Sequence, residues 1–503
     1  MKSTNMILEG LLRQVKPVDF YSIANTKGDQ DFKLKNSQAL VISIDQILKL
    51  AKVNNWNLCI NNGNVYLYNG FYWSEVPPDL LKSFLGEAAA RQGIDKLTSK
   101  HFNYRDNLLK QFFSAAYLKE PEADPDKVMI NLQNGTLEIS ANSGEVKLRE
   151  FKASDFLKYQ LPFEYDPLAK APLFENYLQH VLPDPSSRDL LLEYAGSLFI
   201  KHSSGKLKLE KVLLLYGTGA NGKSVFFEIL TRLLGKENVS YYSLANLTDN
   251  TGYYRAEIAD KLLNYASEIN GTIGTDHFKA MASGEPITAR RPYGNAVTLS
   301  QYAKLIFNCN ELPKDTEQTH GFFRRFMIIP FEVTIPPERQ DKELHIKISE
   351  SELSGILNLI VKALLNLLER GDYSKCDAAE NAVKQYQLES DTVRMYLHEN
   401  EYQPSKLNLF LPFKTLFDSY KEYCIESMYR TCSKRTFSDR LKKQGYLIEK
   451  KRDGVIVYIE KTKCFVPPSL LAHHSHFEAD REESEEREAI LQSSRIFEES
   501  NKW

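Results

Sequence analysis

The sequence predicts an α/β domain with a parallel sheet at the centre of a longer chain, with a mixed α+β domain before it and a small helical module after it. Between about 205 and 335, short apolar runs such as Val212–Tyr216 and Phe326–Val333 alternate with helical stretches, which is typical of strands buried on both faces. A glycine-rich loop joins the first of these runs directly to a helix. A chain of 503 residues is too long for one hydrophobic core, so several domains are expected.

We predict five segments along the chain. They are a flexible N-terminal segment over 1–35, a mixed α+β domain over 36–200, the α/β domain over 201–375, a helical linker with a winged-helix-like module over 376–467, and an acidic, disordered tail over 468–503.

The mixed N-terminal domain is predicted from helical periodicity and from turn residues. Helices are expected over Leu40–Val53, Asp79–Gln92 and Asn107–Tyr117, and two more within 174–200. Asn-Gly pairs at 62–63, 69–70 and 134–135 lie between strand-like residues, the signature of type I′ hairpins.

Composition excludes several classes of protein. The formal net charge of -2 gives no sign of nucleic-acid binding, so any basic surface must be local. Six scattered cysteines without a Cys-x-x-Cys pair argue against a zinc site and a disulfide framework. No apolar run approaches a membrane span and the N-terminus has no signal-peptide core, so we expect a cytoplasmic protein without a membrane partner.

The segment GTGANGKS matches the full phosphate-binding consensus G-x-x-x-x-G-K-[ST]. Glycines let backbone N–H groups turn toward phosphates, and the following helix adds its positive dipole end. Lys223 is predicted to contact the β and γ phosphates, and the Ser224 hydroxyl to ligate Mg²⁺. A chance match is expected in roughly one of fifty such chains, and the flanking strand and helix argue against it. The predicted nucleotide contacts are Gly217, Thr218, Gly219, Ala220, Asn221, Gly222, Lys223 and Ser224.

Three later segments supply candidate catalytic residues. One apolar run ends at Glu268, which would polarise water or hold Mg²⁺, and another ends at Asn310, whose amide would orient the attacking water. Arg324 and Arg325 precede a further strand, from which a guanidinium would reach the nucleotide of a neighbouring subunit. Taken singly, a strand that ends in Glu is common and paired arginines favour a surface salt bridge. Their order along the chain favours catalysis.

The ordered segments GTGANGKS, LLNYASE, FNCNELP and FFRRFMIIPF resemble the superfamily 3 (AAA+) helicases, in particular the helicase portion of phage, plasmid and poxvirus primase–helicase proteins. The resemblance covers about 130–380 closely and the N-terminal segment more loosely. It implies a Walker A loop at Gly217–Ser224, a Walker B acid at Glu268, a sensor at Asn310, and a finger acting in trans at Arg325, with Arg324 close behind. Many members carry two adjacent acids where this chain has Ser267-Glu268, so the role of Glu268 in water activation or Mg²⁺ binding stays open.

This resemblance also implies a function. The expected protein is an ATP- and Mg²⁺-dependent DNA helicase that forms a homo-oligomer, usually a hexamer, and moves 3′ to 5′ on single-stranded and forked DNA during replication of a phage or other mobile element. The family's DNA-contacting hairpin corresponds to FKAMASGEPITARRPYGNAVT, in which basic residues with an interleaved aromatic suit a backbone-tracking channel. The implied strand contacts are Lys279, Arg290, Arg291 and Tyr293.

Priming activity is not expected. Asp124-Pro125-Asp126 lies in a polar, proline-containing stretch and is predicted to be a turn, whereas a two-metal polymerase site needs carboxylates held rigidly on a strand. A separate primase, or other replication proteins, would therefore be a partner.

The C-terminal pattern of helix, helix and hairpin resembles a winged helix. The helices are expected over Phe413–Cys424 and, beginning with a cap, over Ser433–Lys443, and the hairpin turn at Asp453-Gly454. Basic residues on the second helix and the wing favour duplex DNA, although a module used only for protein contacts is the alternative. The candidate DNA contacts are Lys434, Arg435, Arg440, Lys443, Lys450, Lys451 and Arg452.

Two other functions stay open from the sequence. An origin-binding or loader ATPase would assemble on DNA without processive unwinding. A small-molecule kinase with the same loop would need acceptor-binding and lid features in place of the Asn310 and Arg324-Arg325 pattern.

Overall fold

The computed structural model describes residues 4–461, except 120, 123, 203–206, 268, 270–272, 293, 313–318, 407, 428, 430 and 453. The chain divides into two compact units, Met1–Ser390 and Asp391–Trp503.

The first unit begins with helices packed around a three-stranded antiparallel sheet, in the order β1-β2-β3. The segment 1–35 is predicted to be flexible, but its residues 4–14 form a helix because Ile7, Leu8 and Leu11 share one face and are buried in this core. The elements are α1 (Thr4–Gln14), α2 (Phe20–Ala24), α3 (Asn36–Val53), β1 (Leu58–Asn61), β2 (Asn64–Tyr68), β3 (Trp73–Val76), α4 (Pro78–Gln92), α5 (Lys96–Lys100) and α6 (Phe102–Ala115).

Two of the predicted Asn-Gly turns differ in register. Asn62 and Gly63 have φ of 48° and 81° and join the paired residues Asn61 and Asn64, which confirms a two-residue turn there. At the other site Gly135 already pairs with Leu132, so the turn is one residue earlier than predicted. A Cβ on Gly135 would lie 2.6 Å from the Arg149 carbonyl oxygen, so glycine is needed for close strand packing rather than for the turn.

A second antiparallel sheet, in the order β4-β5-β6, and two helices lead to the central domain. On this sheet the Glu138 carboxylate accepts hydrogen bonds from Lys127 Nζ at 2.8 Å and Arg149 Nε at 2.7 Å, and these bonds hold the pKa of Glu138 at about 2. The elements are β4 (Lys127–Leu132), β5 (Gly135–Ser140), β6 (Val146–Arg149), α7 (Pro172–Val181) and α8 (Pro185–Ser197).

The central domain contains a five-stranded sheet in the order β13-β7-β12-β9-β8, in which every neighbouring pair is parallel. The predicted parallel sheet is therefore confirmed. Apolar side chains alternate between its faces, with α7, α8, α9 and α15 on one side and α10, α12, α13 and α16 on the other. The elements are β7 (Val212–Tyr216), α9 (Lys223–Leu234), β8 (Val239–Ser240), α10 (Leu244–Leu247), α11 (Tyr253–Glu257), β9 (Leu263–Ala266), α12 (Thr275–Ala282), β10 (Ile287–Arg290), β11 (Ala296–Leu299), β12 (Lys304–Cys309), α13 (His320–Phe323), β13 (Phe326–Pro330), α14 (Leu344–Ser351), α15 (Leu353–Arg370) and α16 (Asp377–Glu389).

The compact unit extends past the predicted domain boundaries at 200 and 375. Before the first boundary, Tyr194 on α8 is fully buried and its hydroxyl donates to the Leu305 carbonyl oxygen on β12 at 2.7 Å. After the second, Tyr386 on α16 is buried between the rings of Phe323 and Phe326. Helices that the sequence assigns to neighbouring segments therefore complete the core of the central sheet.

The second unit has an aromatic core of its own, to which Tyr396, Tyr420 and Phe437 contribute. Ser433 Oγ accepts from the Thr436 N–H at 3.1 Å, which confirms the predicted N-terminal cap of the basic helix. Asp453 of the predicted turn and the predicted tail over 468–503 lie outside the described residues. The elements are α17 (Thr392–Glu399), β14 (Tyr402–Pro404), β15 (Phe410–Pro412), α18 (Phe413–Glu426), α19 (Lys434–Lys443), β16 (Ile448–Lys451) and β17 (Gly454–Lys461).

Among the described residues, no single helix combines the length and the apolar composition of a membrane span. Two helical stretches, 337–351 and 353–370, meet those criteria only when joined, and they are bent by 80°.

Candidate nucleotide site and nucleic-acid interface

Several predicted catalytic segments meet at the carboxyl edge of the parallel sheet. β12 lies between β7 and β9, and its last residue Cys309 is level with Tyr216, the last residue of β7. The Gly217 N–H, one residue further on, donates to the Cys309 carbonyl oxygen at 3.1 Å. Asn310 therefore follows β12 directly beside the start of the loop, and it is exposed.

The Gly217–Ser224 loop has a backbone that only glycine-rich sequences adopt easily. Gly219, Ala220 and Gly222 have φ of 115°, 47° and 87°, and α9 begins at Lys223, directly after Gly222. A Cβ on Gly217 would approach the Phe331 carbonyl oxygen to 2.5 Å, so this position excludes any side chain. A glycine-rich turn that ends at the N-terminus of a twelve-residue helix fits the phosphates of a nucleotide.

Lys223 is held within the loop. Its Nζ donates to the Gly217 carbonyl oxygen at 2.6 Å and to Asn221 Oδ1 at 2.9 Å. Only 5% of the side chain is exposed, and this burial lowers the pKa of the ammonium. Asn221 Nδ2 donates in turn to the Phe331 carbonyl oxygen at 3.0 Å, so Asn221 positions the lysine and ties the loop to the residue after β13. Thr218 and Ser224 are exposed.

Tyr177 on α7 supports the loop and was not predicted. Its hydroxyl donates to the Gly222 carbonyl oxygen at 2.8 Å, and burial raises the pKa of the phenol. A Cβ on Gly222 would lie 2.7 Å from Val181 Cγ1, so α7 closes over this glycine. No sequence pattern links residues 45 positions apart, and only the fold reveals this contact.

The predicted acid, Glu268, lies outside the described residues. β9 ends at Ala266, and the next residue, Ser267, is exposed. Ala266 is level with Phe307 on the neighbouring β12, so the strand that leads to Glu268 ends at the same edge as the loop. The role of Glu268 stays a prediction.

The two candidate arginines lie at the opposite, amino edge of the sheet. Arg325 immediately precedes β13, and its carbonyl oxygen accepts from the Val212 N–H, at the beginning of β7, at 2.7 Å. Its guanidinium donates to Ser283 Oγ at 3.0 and 3.2 Å and to the Gly321 carbonyl oxygen. The Arg324 side chain is 45% exposed and pairs with Glu210 at 2.7 Å.

The implied DNA-contacting segment contains an antiparallel hairpin, β10 and β11. Arg290 and Arg291 are exposed at its end. The Arg290 guanidinium stacks on the Tyr253 ring and donates to its hydroxyl at 2.7 Å, while Arg291 pairs with Glu75 at 3.0 Å. Tyr293 lies outside the described residues.

Lys279, by contrast, does not belong to this hairpin. It is half-buried on α12, because that helix packs its neighbours Phe278 and Met281 into the core of the sheet. Lys279 therefore lies on a helix apart from the hairpin arginines, and its predicted strand contact stays a prediction.

Most of the predicted basic contacts in the second unit are exposed, but one is not. Arg440 donates to Asp391 Oδ1 at 2.9 Å, and its side chain is only 21% exposed, so it joins α19 to the N-cap of α17. This ion pair gives Arg440 a structural role, and its predicted DNA contact stays a prediction. The exposed residues are Lys434, Arg435, Lys443, Lys450, Lys451 and Arg452, together with Lys442, which was not predicted.

An exposed aromatic ring beside the wing was also missed. Phe410 on β15 is 50% exposed, and Lys451 Nζ lies 4.9 Å from its ring centre. Antiparallel pairing with β17 brings Phe410 opposite Tyr458, which also lies under Lys451. The sequence carried no signal for this cluster, because strand pairing creates it.

Comparison with known proteins supports the family suggested by the motifs. The model of a family described as D5 N terminal like matches residues 45–183, and that of a family of unknown function, DUF5906, matches residues 215–325. The "Putative helicase L207/L206" of Acanthamoeba polyphaga mimivirus is 26% identical over 243 residues, which cover 45% of this chain and 24% of that protein. The "Putative helicase 121R" of Invertebrate iridescent virus 3 is 21% identical over 372 residues, which cover 65% of this chain and 38% of that protein. The chain thus spans well under half of each relative.

Among solved structures, two of the NrS-1 C terminal region are similar at 13% identity. One covers 83% of this chain and 99% of its own with a TM-score of 0.44, and the other 82% and 98% with a TM-score of 0.46. The family matches and the viral relatives are consistent with the resemblance of the ordered motifs to superfamily 3 helicases of the primase–helicase type.

Proposed function

We propose that the chain is an ATP-driven DNA helicase motor that works as a ring, expected to be a hexamer, and moves 3′ to 5′ along one strand. The setting would be replication of a phage or another mobile element, with priming supplied by a separate protein. The observation that supports this most is the distribution of polar residues over the two edges of the parallel sheet. Gly217–Ser224 and Asn310 share the carboxyl edge, whereas Arg324 and Arg325 lie at the amino edge.

The distance between the two edges argues for action between subunits. β13 and β7 run parallel over five residue pairs, and Arg325 lies one residue before the first pair. Six residue steps at about 3.3 Å each therefore separate Arg325 from the level of Gly217, which is about 20 Å. An arginine side chain does not span that gap, so neither arginine reaches the phosphates held by its own loop. Two subunits related by a head-to-tail interface would bring the amino edge of one to the carboxyl edge of the next.

Each residue then has a chemical task. Asn221 holds the Lys223 ammonium at the phosphate end of the loop. On nucleotide binding, Lys223 would exchange the Gly217 and Asn221 oxygens for β- and γ-phosphate oxygens. Ser224 and Glu268 are the proposed protein contacts of Mg²⁺, which would neutralise phosphate charge when ATP is bound. Asn310 would orient water without adding negative charge. Arg325, already oriented by Ser283, would stabilise the charge that develops in the neighbour's transition state.

Motion along DNA would come from the β10–β11 hairpin. Arg290 and Arg291 lie exposed at its end, and α11, which carries Tyr253, lies beside it. Two guanidinium groups beside an aromatic ring suit a single strand, since phosphates and base faces are both available to them. The exposed basic residues of α19 and the wing are proposed to hold the duplex ahead of the fork.

The test is unwinding of a forked duplex together with ATP hydrolysis stimulated by single strands. We expect both activities from the wild-type chain, and loss of both from Lys223→Ala. ATP hydrolysis without strand separation would instead support the loader, which assembles on DNA and does not unwind it. Turnover indifferent to any polynucleotide would support a small-molecule kinase.

A further inference from the structure

A cavity of about 220 Å³ lies at the amino edge of the parallel sheet, away from the nucleotide loop. The start of β12 and the residue before β9 form one side, and β4 with the segment 154–159 forms the other. The cavity therefore lies between the N-terminal sheets and the central domain, within the first compact unit. None of the residues proposed for ATP hydrolysis lines it.

Lys304, the first residue of β12, lines this cavity without a counter-ion among the residues that the structure describes. Within that part of the chain its Nζ has neither an ion pair nor a hydrogen bond. Burial lowers the pKa of Lys304 to about 8. Lys304 is half-buried, and a cation partly removed from water without a partner is unfavourable. A residue of this kind is therefore expected where a ligand supplies the missing charge.

The other charged groups along the cavity do not supply that charge. Lys201 has a partner of its own, and Asp124 is at the exposed rim. The remaining pairs are Lys158 with Asp260, Lys127 with Glu138, Asp155 with Arg149, Glu122 with Lys119, and Lys261 with the Glu237 carbonyl oxygen.

His202, which also lines the cavity, is neutral. Its Nε2 hydrogen-bonds to the Tyr302 carbonyl oxygen at 3.1 Å, and its ring stacks on Tyr302 with centres 4.6 Å apart. Burial and the nearby Lys304 lower the pKa of His202 to about 3, so the imidazole adds no second charge. One cation beside an aromatic wall is thus available, and Phe156, Phe199 and Leu368 complete an apolar lining.

We propose that this cavity binds a small organic anion, in which a single carboxylate or phosphate group on an aromatic or aliphatic body pairs with Lys304. The apolar lining accommodates the body and the ammonium selects the charge. The volume admits a ring with one charged substituent and is small for a whole nucleotide. This site is independent of the proposed helicase activity, because it shares no residue with the nucleotide loop.

Isothermal titration of the full chain with phenyl phosphate, benzoate and the neutral benzyl alcohol tests the proposal. A Lys223→Ala background prevents phenyl phosphate from binding at the nucleotide loop. We expect both anions to bind and benzyl alcohol to bind at least about tenfold more weakly. Lys304→Met should abolish the preference for anions, while the control Lys261→Met should keep it, because Lys261 already donates to a backbone oxygen.

Lys304→Met replaces a half-buried ammonium with an apolar group of similar length and should fold. Lys304→Gln serves as a second variant, and circular dichroism shows whether both variants are folded. The proposal is overturned if neither anion binds, if both bind Lys304→Met as well as the parent chain, or if benzyl alcohol binds as tightly as benzoate.

Discussion

Replacing Arg325 by alanine should separate nucleotide binding from hydrolysis. Arg325 lies about 20 Å from the level of its own loop, counted as six residue steps along β13 at about 3.3 Å each. Its removal should therefore leave ATP binding by the same subunit nearly unchanged. Because a guanidinium finger contributes about 10³-fold or more to phosphoryl transfer, hydrolysis should fall by at least that factor.

Mixing two inactive variants tests whether the arginine acts across a subunit boundary. Lys223→Ala lacks a working loop but keeps Arg325, and Arg325→Ala has the opposite defect. In a one-to-one mixture of exchanging subunits, roughly one quarter of the interfaces join an intact loop to an intact arginine. Phosphate release in the presence of single-stranded DNA should then recover toward that fraction of the wild-type rate.

Arg324→Ala is the matched control for this experiment. Its guanidinium is the adjacent one, but it pairs with Glu210 instead of being held by Ser283, so we expect a smaller loss of turnover. Equilibrium binding of ATP and circular dichroism show whether each variant is folded. The reasoning is refuted if Arg325→Ala hydrolyses ATP at the wild-type rate, or if the mixture stays as inactive as its two components.

Three further predictions concern DNA binding and stability. Arg290→Ala combined with Arg291→Ala should weaken single-strand binding, as measured by fluorescence anisotropy. The slope of log affinity against log salt should fall by about 0.7 for each phosphate that the protein no longer neutralises. An unchanged slope would show that the hairpin does not contact DNA. Arg440→Ala should lower the free energy of unfolding by about 2 kcal/mol in denaturant titration and leave duplex affinity nearly unchanged, since its partner is an internal carboxylate. Hydrogen bonds from Lys127 and Arg149 hold the pKa of Glu138 at about 2. The contribution of Glu138 to the free energy of unfolding is therefore complete above pH 4.5 and is lost as the pH falls toward 2. The stability curves of the wild type and Glu138→Gln should therefore differ at neutral pH and converge near pH 2, and parallel curves would contradict this.

Short-range patterns along the chain were sufficient for much of the fold. The apolar run Val212–Tyr216 was predicted at the residues where it occurs, and the loop after it leads into a helix as predicted, although this helix begins at Lys223, within the loop motif. The same holds for the turn at 62–63 and for the cap at Ser433. These features depend on backbone conformation and on contacts within a few residues, which spacing and residue type encode directly.

Some sequence predictions differ from the structure where a residue contacts a partner far away in the sequence. Residues 4–14 lacked an obvious signal of order, yet three apolar side chains find a core formed by α3 and α4. Arg440 belongs to a basic helix by composition, but in the fold its guanidinium forms an ion pair with Asp391. Domain boundaries read from composition also fell short, because α16 completes the core of the central sheet.

Motif order along the chain predicts a phosphate-binding loop, a sensor and an arginine finger, because each motif is a local arrangement of donors or charges. The geometry of the candidate site depended on how strands far apart in sequence pair. Insertion of β12 between β7 and β9 brings Asn310 beside the loop, and parallel pairing of β13 with β7 carries Arg325 to the far edge. Strand order reflects the packing of two apolar faces against helices from the whole unit, and no local spacing encodes that choice.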